Sequence, residues 1–159
     1  MVQSALSGDF DEVLLWQSRI DELAAGQDQE IIFNVLKAFA LAFAHAKTWD
    51  SAGIMMARWA EACGAMERFS MQAGVLNGAG DCFMSGGDCK NAALWYESAR
   101  DISVEHGFVS MESKSCTKLG DAFVQTGRTS EGVEQHRHKH TFPPLRYFGF
   151  CPRIFLHWT

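Results

Sequence analysis

The sequence predicts an all-α fold, an α-solenoid of antiparallel helical hairpins with about three and a half repeats. Small and aromatic residues recur every 40 residues, and breaker residues separate segments that have helical periodicity. None of the three prolines precedes position 143, so no proline interrupts these helices. The balance of 47% hydrophobic and 21% charged residues is that of a globular chain.

The repeat is clearest in three short segments. Gly80–Phe83 reads Gly-Asp-Cys-Phe, Gly120–Phe123 reads Gly-Asp-Ala-Phe, and Ala40–Phe43 reads Ala-Leu-Ala-Phe. Each is followed at equal distances by a second small residue and then a larger one: Ala52 and Met56, Ala92 and Tyr96, Gly132 and His136. Two helices approach closely where one offers Gly or Ala, and the aromatic fills the gap to the neighbouring hairpin. The pattern therefore predicts stacked hairpins.

Breaker residues predict where the hairpins turn. Those within a hairpin are Ser7-Gly8, Lys47-Thr48, Gly86-Gly87 and Thr126-Gly127. Gly64 and Gly107 are expected to end second helices, because a left-handed C-cap favours glycine. The segment that starts at Asp9 matches a second helix, so the chain begins with half a repeat. We expect the helical repeat domain to cover residues 1–135.

These residues resemble the tetratricopeptide family over roughly residues 9 to 136. Leu119–His136 matches the family's Leu-Gly-x-x-Tyr/Phe first helix, and the previous unit matches five signature places at Gly80, Phe83, Ala92, Tyr96 and Ala99. A period of 40 instead of about 34 resembles the long-repeat branch, as in kinesin light chains and the Leu-Gly-Asn spindle adaptors. Trp59 departs from the pattern, since the family has a small residue there.

The resemblance implies a concave groove that is lined by first helices and binds an extended or helical peptide. The positions that would face it are Asn34, Lys37, Leu41, Asn77, Asp81, Met84, Lys114, Lys118, Asp121 and Gln125. Asp81 and Asp121 favour a mixed or basic peptide over a carboxylate clamp. We expect a non-enzymatic adaptor or scaffold without a cofactor; the alternative is a permanent structural subunit of a larger assembly.

Charge and cysteine usage exclude other classes. The net charge of −5 disfavours nucleic acid as a partner, because a phosphate backbone selects a basic surface. The longest uncharged apolar stretch is too short to span a bilayer. Five cysteines without a CxxC pair predict a reducing compartment, which we take to be the cytoplasm.

Residues 136–159 differ in composition from the rest of the chain. They contain all three prolines and four of the 14 bases but none of the 19 acids, so residues 1–135 carry a formal charge of −9 and the tail +4. Three interpretations stay open. The tail is a peptide that docks on its own acidic solenoid, or it is an interaction segment for a partner, a membrane surface or a second copy of the chain. The third is that it comes from an altered reading frame.

Two clusters contain residue types that occur in metal or catalytic sites. His136, His138 and His140 alternate with bases, which disfavours a metal dication, and no carboxylate or Cys completes a tetrahedral site. Cys82, Cys89 and Cys116 lie in helical segments where thiols usually serve as small hydrophobes, so pairing with His45 or His106 for catalysis is not expected. We predict neither a catalytic nor a metal site.

Overall fold

The computed structural model describes residues 15, 18–20, 22 and 28–138, and all of its secondary structure within this part is helical. From residue 28 onward there are six helices: α1 Gln29–His45, α2 Trp49–Ala65, α3 Phe69–Gly86, α4 Cys89–Glu105, α5 Val109–Gln125 and α6 Thr129–His138. Each helix packs against the next in the chain. The expected all-α class is confirmed for the described residues.

Five equivalent turns connect the helices, and they recur every 20 residues. Each contains one residue with a left-handed backbone: Lys47 (φ 59°), Glu67 (φ 56°), Gly87 (φ 86°), Gly107 (φ 72°) and Gly127 (φ 80°). In each, the next amide donates to a carbonyl five residues earlier, as from Thr48 to Phe43 at 3.1 Å and from Arg128 to Phe123 at 2.8 Å. This is the Schellman arrangement. Because the connections are so short, packed neighbours must run in opposite directions.

One predicted turn residue is wrong. Gly64 lies inside α2, and Glu67 takes the left-handed position instead. A Cβ at Gly64 would come within 2.7 Å of Gln72 Nε2, so this glycine serves a close contact with α3. Gly107 occupies the left-handed position, as expected. Ser7-Gly8 lies outside the described residues.

Small residues allow close packing within each hairpin, as the sequence pattern indicated. A Cβ at Gly80 would overlap the Tyr96 ring, and one at Gly120 would come within 2.8 Å of His136 Nε2. These two contacts are 40 residues apart and equivalent. Ala52 and Ala92, at the second small position, have no exposed surface.

The last described helix crosses the predicted domain boundary. Helix α6 continues to His138, and His136 packs against Gly120. The division into residues 1–135 and 136–159 stays a prediction. Residues 139–159 lie outside the described part, and the three interpretations of the tail stay predictions. Among the described helices, none is long and apolar enough to cross a bilayer.

Candidate functional site

The exposed sides of α1, α3 and α5 form the surface that we call the odd-helix face. Its residues repeat every 40 positions in five rows: Ile31, Met71 and Met111; Asn34, Gly74 and Lys114; Ala38, Gly78 and Lys118; Leu41, Asp81 and Asp121; His45, Ser85 and Gln125. Along each helix the rows are three or four residues apart, so their members share one side. None of the fifteen is buried, whereas Phe33, Leu36 and Phe43 on the other side of α1 are.

Seven of the ten sequence-predicted groove residues lie on this face: Asn34, Leu41, Asp81, Lys114, Lys118, Asp121 and Gln125. Lys37 is exposed and Met84 is half-buried, each one position from a row. Asn77 is wrong as a groove residue, because only 2% of its surface is exposed. Its Nδ2 donates to Ser115 Oγ at 2.8 Å and to the Ala73 carbonyl at 3.1 Å, which places the amide between α3 and α5. The longer Lys37 side chain, at the equivalent position of α1, reaches solvent.

Asp81 is held by two neighbours. The Tyr96 hydroxyl donates to its Oδ1 at 2.8 Å, and Lys118 Nζ forms an ion pair with the same oxygen. The ammonium also lies 5.5 Å from the centre of the Tyr96 ring, a cation–π distance. Burial, together with the hydrogen bond to Asp81, raises the pKa of Tyr96, so the phenol stays protonated and remains a donor.

Asp121 has the equivalent arrangement one repeat later. Its Oδ1 lies 3.3 Å from His136 Nε2, and His136 stands where Tyr96 stands in the previous repeat. Both acids of the face are therefore engaged by groups of the chain itself. In contrast, Lys37 and Lys114 form no ion pair with any described residue. This weakens the expectation that the two aspartates select a basic peptide.

Two exposed apolar side chains lie in the first row of the face, and a third, Leu41, lies in the fourth row. Ile31 is 51% exposed and Met71 44%. Beside Met71 is an open depression of about 520 Å³, lined by Glu67, Arg68, Phe69, Ser70, Met71 and Phe108. Its aromatic wall is ordered by stacking, because the ring of His106 lies 3.9 Å from Phe69 and 5.8 Å from Phe108. The Arg68 guanidinium is tied to Glu30 at 2.8 Å.

Gly74 leaves bare backbone in the middle of the face. A Cβ there would meet only Met111 Cε, at an ordinary contact distance of 3.7 Å. Glycine inside a helix costs about 0.5–1 kcal/mol relative to alanine. No packing constraint in the structure requires that cost at Gly74, unlike at Gly80.

A second depression of about 590 Å³ lies where the first turns of α2 and α4 meet the end of α3, lined by Asp50, Ile54, Phe83, Gly86, Gly87, Asp88, Asn91 and Trp95. Asp88 is the N-cap of α4, and its carboxylate accepts from the Asn91 amide at 3.1 Å. Hydrogen bonds from Asn91 lower the pKa of Asp88. The Asp88 charge therefore stabilises the N-terminus of α4.

The cysteines and histidines form no catalytic pair within the described part of the chain. Burial raises the pKa of the Cys63, Cys82 and Cys116 thiols, which opposes thiolate formation. Cys89 is half-buried and donates to Gln125 Oε1 at 3.1 Å. The described residues contain no group of three metal-ligating side chains; His140 lies outside them.

Comparison of the chain with protein-family models, with curated proteins and with solved structures finds no match. Function is therefore inferred from the geometry of the odd-helix face.

Proposed function

We propose that the chain is a non-enzymatic protein-interaction scaffold of the tetratricopeptide type. Its hairpins stack into a solenoid, and the odd-helix face is the concave groove that binds a peptide or a subunit of a partner protein. The observation that carries the proposal is the set of five equivalent turns, because identical turns at equal spacing place successive hairpins in equivalent orientations.

Direct contact between α3 and α5 supports a groove on this side. Among described helices that are not neighbours in the chain, these two have the most extensive contact. Asn77 donates to Ser115 across it, and Asp81 pairs with Lys118. A stack whose odd helices lie close together curves toward them. The face then presents three parallel helices to one ligand.

The chemistry of the face suits recognition. It combines exposed aliphatic and thioether groups with amides, lysines and engaged carboxylates, as at Met71, Gln125 and Lys114. Methionine adapts to differently shaped partners because its side chain is unbranched and polarizable. This combination of exposed side chains is the reason why binding is the function we propose. The reducing, cytoplasmic location also remains a proposal.

Selection from a random peptide library displayed on phage, with the full chain as bait, tests this function. Selected peptides should bind in fluorescence anisotropy and lose at least about tenfold in affinity to Leu41→Glu or Met71→Glu, because each places a charge on the face. Val104→Glu is the matched control, since Val104 on α4 is 44% exposed and lies off the face. Equal loss in the control, or no selected binder, would contradict a groove on α1, α3 and α5.

A second candidate function is that of a permanent subunit within a larger assembly. In its favour, Val133 on α6 is 44% exposed, whereas Ala93, the equivalent residue of α4, is 7% exposed. Helix α5 packs against α4 and covers the side that holds Ala93. No described helix follows α6, so its equivalent side, which holds Val133, is exposed. Light scattering of the full chain and of Val133→Asp tests this candidate. A concentration-dependent oligomer that the substitution dissociates would support it, and a monomer throughout would contradict it.

A further inference from the structure

We infer that the second depression, which lies between the first turns of α2 and α4 and the end of α3, binds the guanidinium group of an arginine side chain from a partner protein. None of its lining residues belongs to the odd-helix face, so this site is additional to the proposed groove. The inference follows from a comparison of two equivalent turns of the chain, one of which already holds a guanidinium.

The turn between α5 and α6 shows how this fold holds such a group. Arg128 Cζ lies 4.1 Å from the centre of the Phe123 ring, which is a cation–π contact. Arg128 Nε donates to Glu131 Oε1 at 2.7 Å, and Nη2 pairs with Oε2 of the same carboxylate. One aromatic ring and one carboxylate therefore orient the planar cation at two points.

The turn between α3 and α4, 40 residues earlier, has the ring without the guanidinium. Phe83 stands at the position of Phe123, and both rings are 7% exposed. Asp88 stands at the position of Arg128, and no cation of the described residues lies over Phe83. The place that Arg128 fills in one turn is therefore part of an open depression of about 590 Å³ in the other.

The side chains that differ between the two turns favour a cation at the second depression. Trp95 takes the position of Gln135 and adds a second aromatic wall, and tryptophan is the best aromatic partner of a cation. Asp50 takes the position of Lys90 and forms no ion pair with a described residue. The lining residues include two carboxylates and no base.

Asp88 keeps hydrogen-bonding capacity although it caps α4. Its Oδ1 accepts from the Asn91 amide at 3.1 Å, and its Oδ2 accepts from Asn91 Nδ2 at 2.6 Å. Because a carboxylate has about four acceptor positions, each oxygen can accept one more N–H. The nearby Lys90 charge acts on Asp88, but its side chain is exposed and does not line the depression. Asp50 supplies a second negative charge, and the C-terminus of α3 supplies the negative end of a helix dipole.

A guanidinium fits this arrangement better than an ammonium does. It can stack on an aromatic ring while its edge donates to carboxylates of two helices, Asp50 on α2 and Asp88 on α4. A free arginine also carries an α-carboxylate, which the two aspartates repel. The source we infer is therefore an arginine within a polypeptide.

Nuclear magnetic resonance of the ¹⁵N-labelled full chain tests the inference with Nα-acetylarginine amide as the probe. The Trp95 indole N–H resonance, assigned from Trp95→Phe, should shift and saturate at roughly millimolar probe. Nα-acetylcitrulline amide, which lacks the charge, Nα-acetyllysine amide and free arginine should each bind at least about threefold more weakly. Asp50→Asn combined with Asp88→Asn should cause a similar loss while keeping an N-cap on α4. Glu61→Gln is the control for net charge, because Glu61 is exposed on α2 and lies outside the depression.

A graft of the α5–α6 turn gives an independent test. Asp88→Arg combined with Asn91→Glu copies the pair formed by Arg128 and Glu131, so the chain's own guanidinium should lie over the ring. The grafted protein should lose the response to the arginine probe. A graft that is folded by circular dichroism and still binds the probe would refute the assignment to this depression.

The other results also decide the inference. It is refuted if the Trp95 resonance shows no saturable shift, if the citrulline probe binds equally well, or if the double aspartate variant binds unchanged. If that variant does not fold, Asp50→Asn alone decides, because this exposed residue is not a cap. If the probe binds only after Arg146→Ala and Arg153→Ala, the occupant is the tail of the chain and the assignment to a partner is refuted. Leu41→Glu and Met71→Glu should leave the site unchanged, so its failure would not affect the proposed groove.

Discussion

The turn residue Glu67 gives the sharpest test of how the fold is held. Its φ of 56° is left-handed, a conformation that three of the five equivalent turns assign to glycine. For a residue with a Cβ this conformation costs about 1–2 kcal/mol. Glycine removes that cost but loses about 0.5–1 kcal/mol through the greater freedom of its unfolded chain. We therefore expect Glu67→Gly to stabilise the protein by about 0.5–1 kcal/mol.

Urea unfolding followed by circular dichroism measures this change, and the midpoint should rise while the m-value stays constant. Lys47→Gly should act in the same direction, because Lys47 has a φ of 59°. Gly127→Ala is the reciprocal control. A Cβ there would meet nothing within 4 Å, so only backbone strain at φ 80° can destabilise it. If Glu67→Gly destabilises, or if Gly127→Ala is neutral, the strain argument is refuted.

Four further predictions follow from single contacts. Gly74→Ala should raise the free energy of unfolding by about 0.5–1 kcal/mol, because the Cβ fits and the helix gains propensity. Gly80→Ala should lower the free energy of unfolding by about 1–3 kcal/mol, because the Tyr96 ring must move. Urea unfolding measures the effect of both glycine substitutions. The pKa of Asp88 is lowered in the folded state. Its stabilising contribution is therefore complete above the unfolded pKa of about 3.9 and is lost as pH falls through the folded pKa. Asp88→Asn should reduce the decrease in the free energy of unfolding below about pH 4, measured by urea unfolding at several pH values. Under native conditions iodoacetamide should alkylate Cys89 before the three buried cysteines of the described part, Cys63, Cys82 and Cys116, as read by peptide mass mapping. Equal rates would show that the hairpins open readily.

The spacing of small and aromatic residues predicted the hairpins because close packing allows few alternatives. Gly80 and Gly120 could be recognised from the sequence, since each must lie under a larger residue of the next helix. Gly64 misled the prediction, because a glycine near a helix end suggests a cap. The better signal was the interval of 20 residues, which places Glu67 midway between Lys47 and Gly87.

The site was harder to predict, because it depends on how one hairpin sits on the next. The ion pair between Asp81 and Lys118 spans 37 positions, and the hydrogen bond between Asn77 and Ser115 spans 38. These separations follow from the stagger of α3 against α5, which no local pattern in the sequence encodes. The resemblance to the tetratricopeptide family implied a groove position for Asn77, although its short amide stays in the contact between the two helices.

Equivalent positions of the three odd helices also differ in chemistry, and this gives the face a direction. The fourth row changes from Leu41 on α1 to Asp81 on α3 and Asp121 on α5, while the neighbouring row changes from Ala38 through Gly78 to Lys118. In these two rows α1 offers only apolar groups, whereas α3 and α5 carry Asp121 and the ion pair between Asp81 and Lys118. If the face binds a segment as proposed, the two orientations of that segment meet different side chains and are therefore unequal in free energy. The repeated turns therefore set the spacing of the helices, and the side chains that break the repeat are the ones that would give the proposed groove its selectivity.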